Sequence, residues 1–408
     1  MANDFKNTSL VTRVAVKEFI NALMLGRKVD RQFENSFHKK GDTISIRRPV
    51  MFTSSDGATL GSASDIEEAN VPLVLDKRKK VHFEVTSQDL TLKVEDFTSR
   101  YVRPAMIELA QQVESDLAAE YKNIYNFSGT PGTSPGTFLS VALAGAELSK
   151  IGVPETEPWC AFFDANASVT LADGLKTVFP QDIAKRAIER ASVGQYGGFD
   201  IFKNNSLKTH TVGIATGTPR VNGASQNTTY NSSGDAWVQA LATDGWTNSQ
   251  TGILKAGDVF TIAGVNSVNI RTCETTGDLQ NFVVTADANS GASTGPATLT
   301  ISPPIITSGP YQTVDAAPAD NAAITVKTGA GGASHRQNLG FHKNAITLAM
   351  VNLDVPQDGV SASIENHDGI SIRVARQFDI TNDKTIYRFD ILYGIKTQNP
   401  AFAVRITS

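Results

Sequence analysis

The sequence predicts an α+β protein with an all-β domain inserted into it. Two segments have the apolar spacing of amphipathic helices, and several others alternate apolar and polar residues as strands do. Between Val212 and His335 the composition changes, because this segment holds 12 of the 78 charged residues and 15 of the 32 glycines. Its short Val/Ile/Thr runs, such as "DVFTIAGV", "QNFVVTAD", "ATLTISPP" and "AAITVKT", predict strands. We therefore expect a compact β domain between two hinges rich in glycine and alanine.

Two helices are predicted before the insertion. The first runs from about residue 9 to 25, with Thr8 or Ser9 as its cap. The second lies between Val94 and Ile124 with Pro104 in a first turn, and from there it would be a rod of roughly 30 Å. The apolar positions at helical spacing are Val16, Phe19, Ile20 and Leu23 in the first helix, and Met106, Ala110, Val113, Leu117, Tyr121 and Ile124 in the second.

Residues 36–90 are predicted to form a two-stranded arm. "DTISIRRPV" and "KKVHFEVTS" alternate as strands, and the segment between them is polar and rich in glycine. An isolated two-stranded ribbon is marginally stable in water, so the arm needs a surface to lie on. We expect this surface to belong to a neighbouring copy of the chain.

The charges of the arm are polarised, and they are the candidate subunit-interface residues. Opposite patches on one protruding arm suit contact between identical copies, although a solvated hairpin of mixed charge is the alternative. The basic residues are Arg47, Arg48, Lys77, Arg78, Lys79 and Lys80, and the acidic residues are Asp65, Glu67 and Glu68.

The remaining chain is expected to mix helices and strands. "WCAFFDA" resembles a strand and "PQDIAKRAIERA" a helix, and "GISIRVARQFD" and "KTIYRFDILYGIKT" alternate as strands near the end. Cys160 and Cys273 are expected to be buried thiols. His335 is assigned to a hinge, and His342 to the solvated start of an apolar core segment.

No catalytic, cofactor or metal site is predicted. Gly329 and Gly331 fit part of a dinucleotide-binding fingerprint, but Ser334 occupies the place of its third glycine. The six histidines lack metal-ligand spacing. An enzyme using Cys160 with a distant histidine is the catalytic alternative. A second alternative is a β-rich module that binds carbohydrate or a host surface, with Tyr230, Trp237 and Trp246 stacking on sugars; core anchoring is their more ordinary role.

The bulk properties exclude several other classes. A formal net charge of -4 argues against a basic nucleic-acid clamp. No run approaches the roughly 18 apolar residues of a membrane span, and the charged start lacks a signal peptide. We expect a protein of the cytosol that makes it, with no membrane partner.

Several segments, taken in order, resemble the major capsid proteins of tailed bacteriophages, of the short-tailed type with an inserted domain. They include "KKGDTISIRRPV", "TLKVEDFTSRYVRPAMIELAQQVESD", "LKAGDVFTIAGVNSV", "LGFHKNAITLAMVNL" and "IRVARQFDITNDKTIYRFDILYGIKTQNPAFAVRI". The resemblance implies the Hong Kong 97-type fold. It assigns residues 1–35 to an N-arm, 36–90 to an E-loop, 91–124 to the spine helix of a P-domain, 125–211 and 336–370 to an A-domain, 212–335 to a β-barrel I-domain, and 371–408 to the last P-domain strands.

The resemblance also implies a function and its partners. Such chains form hexamers and pentamers that close into an icosahedral shell around double-stranded DNA, which they hold weakly and without sequence preference. A scaffolding protein and a portal protein are the other expected partners, and no cofactor is implied. The chain is then expected in the virion capsid after assembly in the bacterial host cytoplasm.

Overall fold

The structure is a computed structural model that describes residues 4–32, 43–48, 50–52, 68, 70–86, 97–175, 194–231, 237–356, 360–367 and 369–407. The predicted helix "PQDIAKRAIERA" lies outside these residues. The longer helices are α1 (Asp4–Ala22), α2 (Arg103–Ala118), α3 (Phe138–Ile151) and α4 (Ala165–Leu175). A π-helical segment (Thr98–Val102) precedes α2, and short 3-10 helices cover Leu25–Arg27, Ala119–Asn123, Lys343–Ala345 and Pro400–Phe402.

Strands dominate the rest of the chain. In chain order they are β1 (Thr43–Arg47), β2 (Asn70–Val74), β3 (Lys77–Thr86), β4 (Asn126–Ser128), β5 (Trp159–Phe163), β6 (Gln195–Tyr196), β7 (Phe199–Lys203), β8 (Thr209–Thr211), β9 (Gly217–Val221), β10 (Gln239–Trp246), β11 (Val259–Val268), β12 (Thr275–Val284), β13 (Ala297–Ser302), β14 (Ile324–Val326), β15 (Ser334–Arg336), β16 (Asn338–Phe341), β17 (Ile346–Val351), β18 (Ser361–His367), β19 (Ile370–Asp379), β20 (Lys384–Thr397) and β21 (Ala403–Ile406). The α+β class predicted from the sequence is confirmed.

The chain divides into two compact units. The first comprises Met1–Ile44, Leu73–Leu117 and Ile346–Lys396. Its sheet has the order β17-β20-β19-β18, with β3 also paired to β20. The apolar stripe predicted for the second helix is buried along α2 from Met106 to Leu117. The helix ends at Ala118, so Tyr121 and Ile124 lie beyond it, and the predicted rod of roughly 30 Å is too long. This unit therefore combines helices with a sheet, as the helical spacing and the strand alternation of its sequence predict.

The first predicted helix is present, but its predicted start is wrong. α1 begins at Asp4, so Ser9 lies inside the helix and cannot cap it. The helix packs against β18 and β19, and Val16, Phe19 and Leu23 are buried as predicted. Tertiary packing of this apolar face outweighs the local capping signal.

The second strand predicted for the arm has a different partner. β1 pairs with β2, whereas β3 pairs antiparallel with β20 along its whole length, from Lys77–Tyr393 to Thr86–Lys384. The ring of Phe83 stacks on Tyr387 at 5.5 Å between centroids. Alternation is equally typical of a ribbon strand and of a strand in a half-buried sheet, so the pattern alone could not separate them. The prediction that β3 belongs to a protruding ribbon is wrong.

The second unit comprises Ser45–Pro72, Ala118–Ala345 and Thr397–Ser408. One of its sheets has the order β4-β21-β16-β5-β7-β6, and α3 packs on it. α3 begins where Thr137 Oγ1 accepts a hydrogen bond from Ser140 N at 3.3 Å and ends at Gly152, whose φ is +93°. The predicted strand "WCAFFDA" is the buried β5 of this sheet.

A second sheet of this unit has the order β14-β11-β12-β13-β10-β9 and encloses its own apolar core. Val221 N donates a hydrogen bond to Ala322 O at 2.9 Å, and Arg220 forms a bridge with Ala323, so the two outer strands meet and close a barrel. β8 and β15 pair where the chain leaves and rejoins the body, with Thr211 opposite Ser334. The all-β character of the insertion is confirmed.

Candidate functional site

The strands at the base of the arm pack against other residues of the same chain. Ile46 in β1 is 0% exposed and Val71 in β2 is 2% exposed. The alternation of the arm strands thus points one apolar face into the second unit. The expectation that the arm has no adequate surface on its own molecule is wrong for this base. Residues 53–67, which include Asp65 and Glu67, lie outside the described residues.

The two arginines at the base of the arm point to different partners. Arg47 is largely exposed and forms an ion pair with Glu68 at 3.5 Å within the arm. Arg48 is half-buried, and its guanidinium lies 4.8 Å from the centre of the Trp237 ring. Successive residues of an extended chain face opposite sides, which explains the division.

The basic run Lys77 to Lys80 alternates between the two faces of β3. Arg78 and Lys80 are exposed, whereas Lys77 and Lys79 are half-buried. Lys79 lies 3.3 Å from Asp116, and that carboxylate also accepts a hydrogen bond from the Tyr393 hydroxyl at 2.8 Å. Lys79 therefore has an ion pair within the first unit, and Arg78 and Lys80 are the members of the run that face outward.

A buried carboxylate organises the outward face of this sheet. Asp390 has a fully buried side chain that accepts hydrogen bonds from Arg373 and, at 2.8 Å, from Arg388. Arg78 forms an ion pair with the same carboxylate at 3.6 Å. Burial alone would raise the pKa of Asp390, but hydrogen bonds from Arg373 and Arg388 outweigh it and hold this pKa below its usual range. Three guanidinium groups surround one carboxylate, so the outer face keeps an excess of positive charge.

A second buried polar cluster lies at the base of the insertion, and sequence reasoning missed it. Asp258 Oδ1 accepts hydrogen bonds from His210 Nε2 at 2.8 Å and Thr328 Oγ1 at 3.0 Å. Its Oδ2 accepts from the backbone amides of Gly213 at 2.9 Å and Lys255 at 2.7 Å. Burial would raise the pKa of Asp258, yet these hydrogen bonds lower it. The carboxylate is thus held ionised and can only accept.

The other side of the His210 ring meets Tyr121. Nδ1 of this ring lies 3.1 Å from the Tyr121 hydroxyl, within hydrogen-bonding distance. Gly257 makes this approach possible, since a Cβ there would lie 3.2 Å from the Tyr121 ring and 3.3 Å from the His210 ring. The order Tyr-His-Asp resembles a catalytic relay, but all three side chains are buried, and they link three segments of the second unit.

Arg405 completes the polar interior of the second unit. Its Nε donates to Ile124 O at 3.0 Å and its Nη1 to Gln337 Oε1 at 3.3 Å, while the guanidinium lies 5.6 Å from the centre of the Tyr121 ring. Complete burial lowers the pKa of Arg405 to about 10, with Tyr121 and Asp258 opposing this effect. No signal in "FAVRI" distinguishes this arginine from an exposed one.

The remaining candidate residues lie in structural positions. His335 is in β15, opposite His210, at the base of the insertion. His342 is 3% exposed, so its predicted solvated position is wrong; the Phe402 ring covers it, and its amide donates to Phe402 O at 2.9 Å. Cys160 is buried in β5, whereas Cys273 is half-exposed in a turn, which corrects its predicted burial.

The aromatic residues considered for sugar binding separate into two groups. Trp246 is buried in the barrel core, and its Nε1 donates to Thr243 Oγ1 at 2.9 Å. Tyr230 and Trp237 are half-buried, and Tyr230 stacks on Tyr311. Trp246 is therefore a core anchor, and the other two contribute to a surface near the arm.

Among the described residues, no group of three or more His, Cys, Asp or Glu side chains is arranged to hold a metal ion. In the same part of the chain, no helix has the length and apolarity needed to cross a bilayer.

Comparison with known proteins identifies the family. Residues 1–407 match the family described as "P22 coat protein - gene protein 5". The major capsid protein of Acyrthosiphon pisum secondary endosymbiont phage 1 is 26% identical over 421 residues and covers 98% of both chains. Among solved structures, one from Mycobacterium phage Che8 is 14% identical and covers 94% of this chain and 90% of its own, with a TM-score of 0.48. The CUS-3 coat protein I-domain is 35% identical and covers 28% of this chain and 98% of its own, with a TM-score of 0.20.

The family match spans nearly the whole chain and confirms the resemblance to phage major capsid proteins seen in the sequence. Copies of the chain therefore associate with one another in a virion shell. The chain belongs to the P22 coat protein family, and it is the major capsid protein that forms a phage shell.

Proposed function

We propose that this coat protein has a purely structural role, assembling through hexamers and pentamers into an icosahedral shell. Assembly takes place on a scaffolding protein in the host cytoplasm, with a portal protein at one vertex, and the shell then encloses double-stranded DNA. The net charge of -4 supports loose rather than tight contact with that DNA. The regions 1–35, 91–124, 125–211, 212–335, 336–370 and 371–408 keep the roles predicted from the sequence as part of this proposal. The region 36–90 keeps its role except for β3, which is paired with β20.

We further propose that two acidic residues of the arm, Asp65 and Glu67, lie on the basic sheet face of a neighbouring copy, whereas Glu68 pairs with Arg47 within the arm. The observation that carries this proposal is the arginine cluster around Asp390. A carboxylate with no exposed side-chain surface balances only one of three guanidinium groups, so Arg78 and Arg388 present uncompensated charge to solvent. Lys80, opposite Asp390 in the β3–β20 register, adds another exposed cation.

Exposed ion pairs individually contribute only about 0–1 kcal/mol, so their role is the choice of partner and register rather than strength. The stability of the shell is collective, because each copy buries apolar surface at about 25 cal/mol per Å² before the costs of association. Arg47, Arg48, Lys77 and Lys79 act mainly within their own chain under this proposal.

A charge swap tests the contact. Lys80→Glu should leave a folded subunit whose assembly, followed by light scattering and negative-stain microscopy with scaffolding protein, is slow or incomplete. Adding Glu67→Lys to the same chain should restore closed shells, because every interface then carries the reversed pair. Lys77→Glu, which makes the same charge change on the other face of β3, is the matched control and should assemble.

The outcomes separate the parts of the proposal. Normal shells from Lys80→Glu would remove the basic sheet face from the interface. A Lys80→Glu defect that Glu67→Lys does not correct would show that another partner uses this face. Neither shells nor capsomer-sized rings from the unmodified chain with its scaffolding protein would contradict the assembly role itself.

A further inference from the structure

Three aromatic rings form a cluster on the insertion, close to the base of the arm. The rings of Tyr230 and Tyr311 stack with centroids 3.6 Å apart and planes within 7° of parallel. Trp237 meets Tyr230 edge-on at 6.0 Å. Tyr311 is nearly buried, and Val314, three residues on, is bridged to Ser267 of the barrel strand β11. The cluster is therefore held by the barrel.

The base of the arm contacts this cluster at two points. The Arg48 guanidinium lies 4.8 Å from the centre of the Trp237 ring, and Met51 N donates to the Tyr311 hydroxyl at 3.4 Å. A planar, weakly hydrated guanidinium is well suited to an aromatic face, and the attraction is strongest where water is partly excluded. Both contacts come within four residues of the end of β1 (Thr43–Arg47).

The neighbouring arginine provides an internal comparison. Arg47 is one residue earlier, has the same charge, and pairs with Glu68 inside the arm rather than with the insertion. Contact with the aromatic cluster is thus a property of the position of Arg48 and not of basic residues at the arm base in general.

We propose that the insertion braces the arm of its own subunit, with Arg48 on Trp237 and Met51 on Tyr311 fixing the direction in which the arm leaves the body. Preorganised in this way, the arm loses less conformational freedom when it meets a neighbouring copy. The inference rests on the proposed role of the arm in assembly, and it gives the insertion a part in setting the geometry of contacts between copies.

Hydrogen–deuterium exchange of the unassembled, full-length subunit tests the brace. In Arg48→Gln and in Trp237→Leu, amides of residues 45–52 should exchange about two- to fivefold faster, in line with the loss of one partly exposed cation–π contact. The double variant should be no faster than either single variant, because both remove the same contact. Arg48→Lys should fall between Arg48→Gln and the unmodified chain, and Arg47→Gln is the matched control with unchanged exchange at residues 48–52.

Amides of β11 and β12 report whether the insertion is still folded. If Trp237→Leu exposes them, Arg48→Gln alone decides the question, since its side chain lies outside the barrel. Unchanged exchange at residues 45–52 in Arg48→Gln would overturn the brace, and additive effects in the double variant would do so too.

Assembly of the same variants separates the brace from the function of the arm. Faster exchange together with irregular or incomplete shells would support both the brace and the role of the arm in assembly. Faster exchange with normal shells would keep the brace but contradict the need for an arm of fixed direction. Unchanged exchange with failed assembly would overturn the brace and leave the proposed arm contact standing.

Discussion

Nε2 of His210 lies 2.8 Å from Oδ1 of Asp258, and both side chains are buried at the base of the insertion, within the second unit. His210 lies in β8, just before the insertion, and Asp258 lies inside the insertion, directly before β11. Because Asp258 also accepts the amide of Gly213, one carboxylate ties the outgoing chain to the barrel. The hydrogen bonds of Asp258 therefore join the barrel to the chain that leads into it, and neither part could form them alone.

The substitution Asp258→Asn should therefore be strongly destabilising. An asparagine offers one acceptor oxygen, so its amide group would face either the His210 donor or the amides of Gly213 and Lys255. We expect the free energy of unfolding to fall by about 3 kcal/mol, measured by urea denaturation of the unassembled subunit.

Asp287→Asn is the control. This exposed carboxylate accepts one hydrogen bond, from the Ala256 amide, so its loss should cost about 1 kcal/mol or less. Equal losses in the two variants would contradict the importance of the buried cluster.

Asp258 and Asp390 should also make the subunit sensitive to acid. The pKa of each carboxyl is lowered in the folded chain, so each stabilises the fold above its ordinary value of about 4 and loses that contribution as the pH falls below it. The free energy of unfolding should fall as the pH drops below about 4, by up to about 1.4 kcal/mol per pH unit for each group. In Asp390→Asn, which is less stable at neutral pH, this acid-dependent slope should be shallower. Parallel slopes for the variant and the unmodified chain would rule out Asp390 as a source of the effect.

The elements that local sequence predicts well are those whose own residues favour them. The α2 stripe and the strand β11 combine a clear period with residues of matching propensity, and both were predicted. β10 was missed, because "QALATDGW" contains alanine, aspartate and glycine, which are rare in strands. Its pairing with β13 and β9 imposes the strand, and that information lies elsewhere in the chain.

The candidate site was harder to predict for the same physical reason. The charges of the arm are visible in the sequence, but whether Lys79 reaches solvent or Asp116 depends on the pairing of β3 with β20, some 300 residues later. His210 and Asp258 are separated by 48 residues, and no spacing rule connects them. Period and composition report on a residue's own segment, whereas buried polar contacts depend on the tertiary structure.

His342 should make stability depend on pH near neutrality. Burial lowers the pKa of this histidine, with Glu157 and Lys343 acting in opposite directions, so the ring stays neutral in the fold while the unfolded chain takes up a proton below about pH 6.5. Stability should therefore fall as the pH drops from 7 to 5. His342→Asn can keep an acceptor for the Asn344 amide, which His342 Nδ1 binds at 3.2 Å, and should reduce this dependence by up to about 1.4 kcal/mol per pH unit.

The control for His342 is an exposed histidine given the same change. His367→Asn, at the end of β18, should leave the pH dependence of urea denaturation as it is in the unmodified chain. If both variants change the pH dependence of the free energy of unfolding equally, the burial of His342 is not the cause of that dependence.

Glu114 should hold the N-terminal helix on the first unit. This nearly buried carboxylate of α2 accepts hydrogen bonds from the amides of Met24 and Leu25, just beyond the end of α1, the latter at 2.6 Å. Glu114→Gln removes the charge that strengthens these bonds, so the free energy of unfolding should fall by about 1.5–3 kcal/mol in urea denaturation. Amides of residues 12–25 should exchange faster with deuterium, because α1 separates more easily from the sheet.

The control is Glu18→Gln, which removes the ion pair with Arg103 at 3.2 Å and should lower the free energy of unfolding by about 1 kcal/mol or less. Exchange of α1 that is the same in both variants would mean that its apolar face, and not Glu114, holds the helix in place.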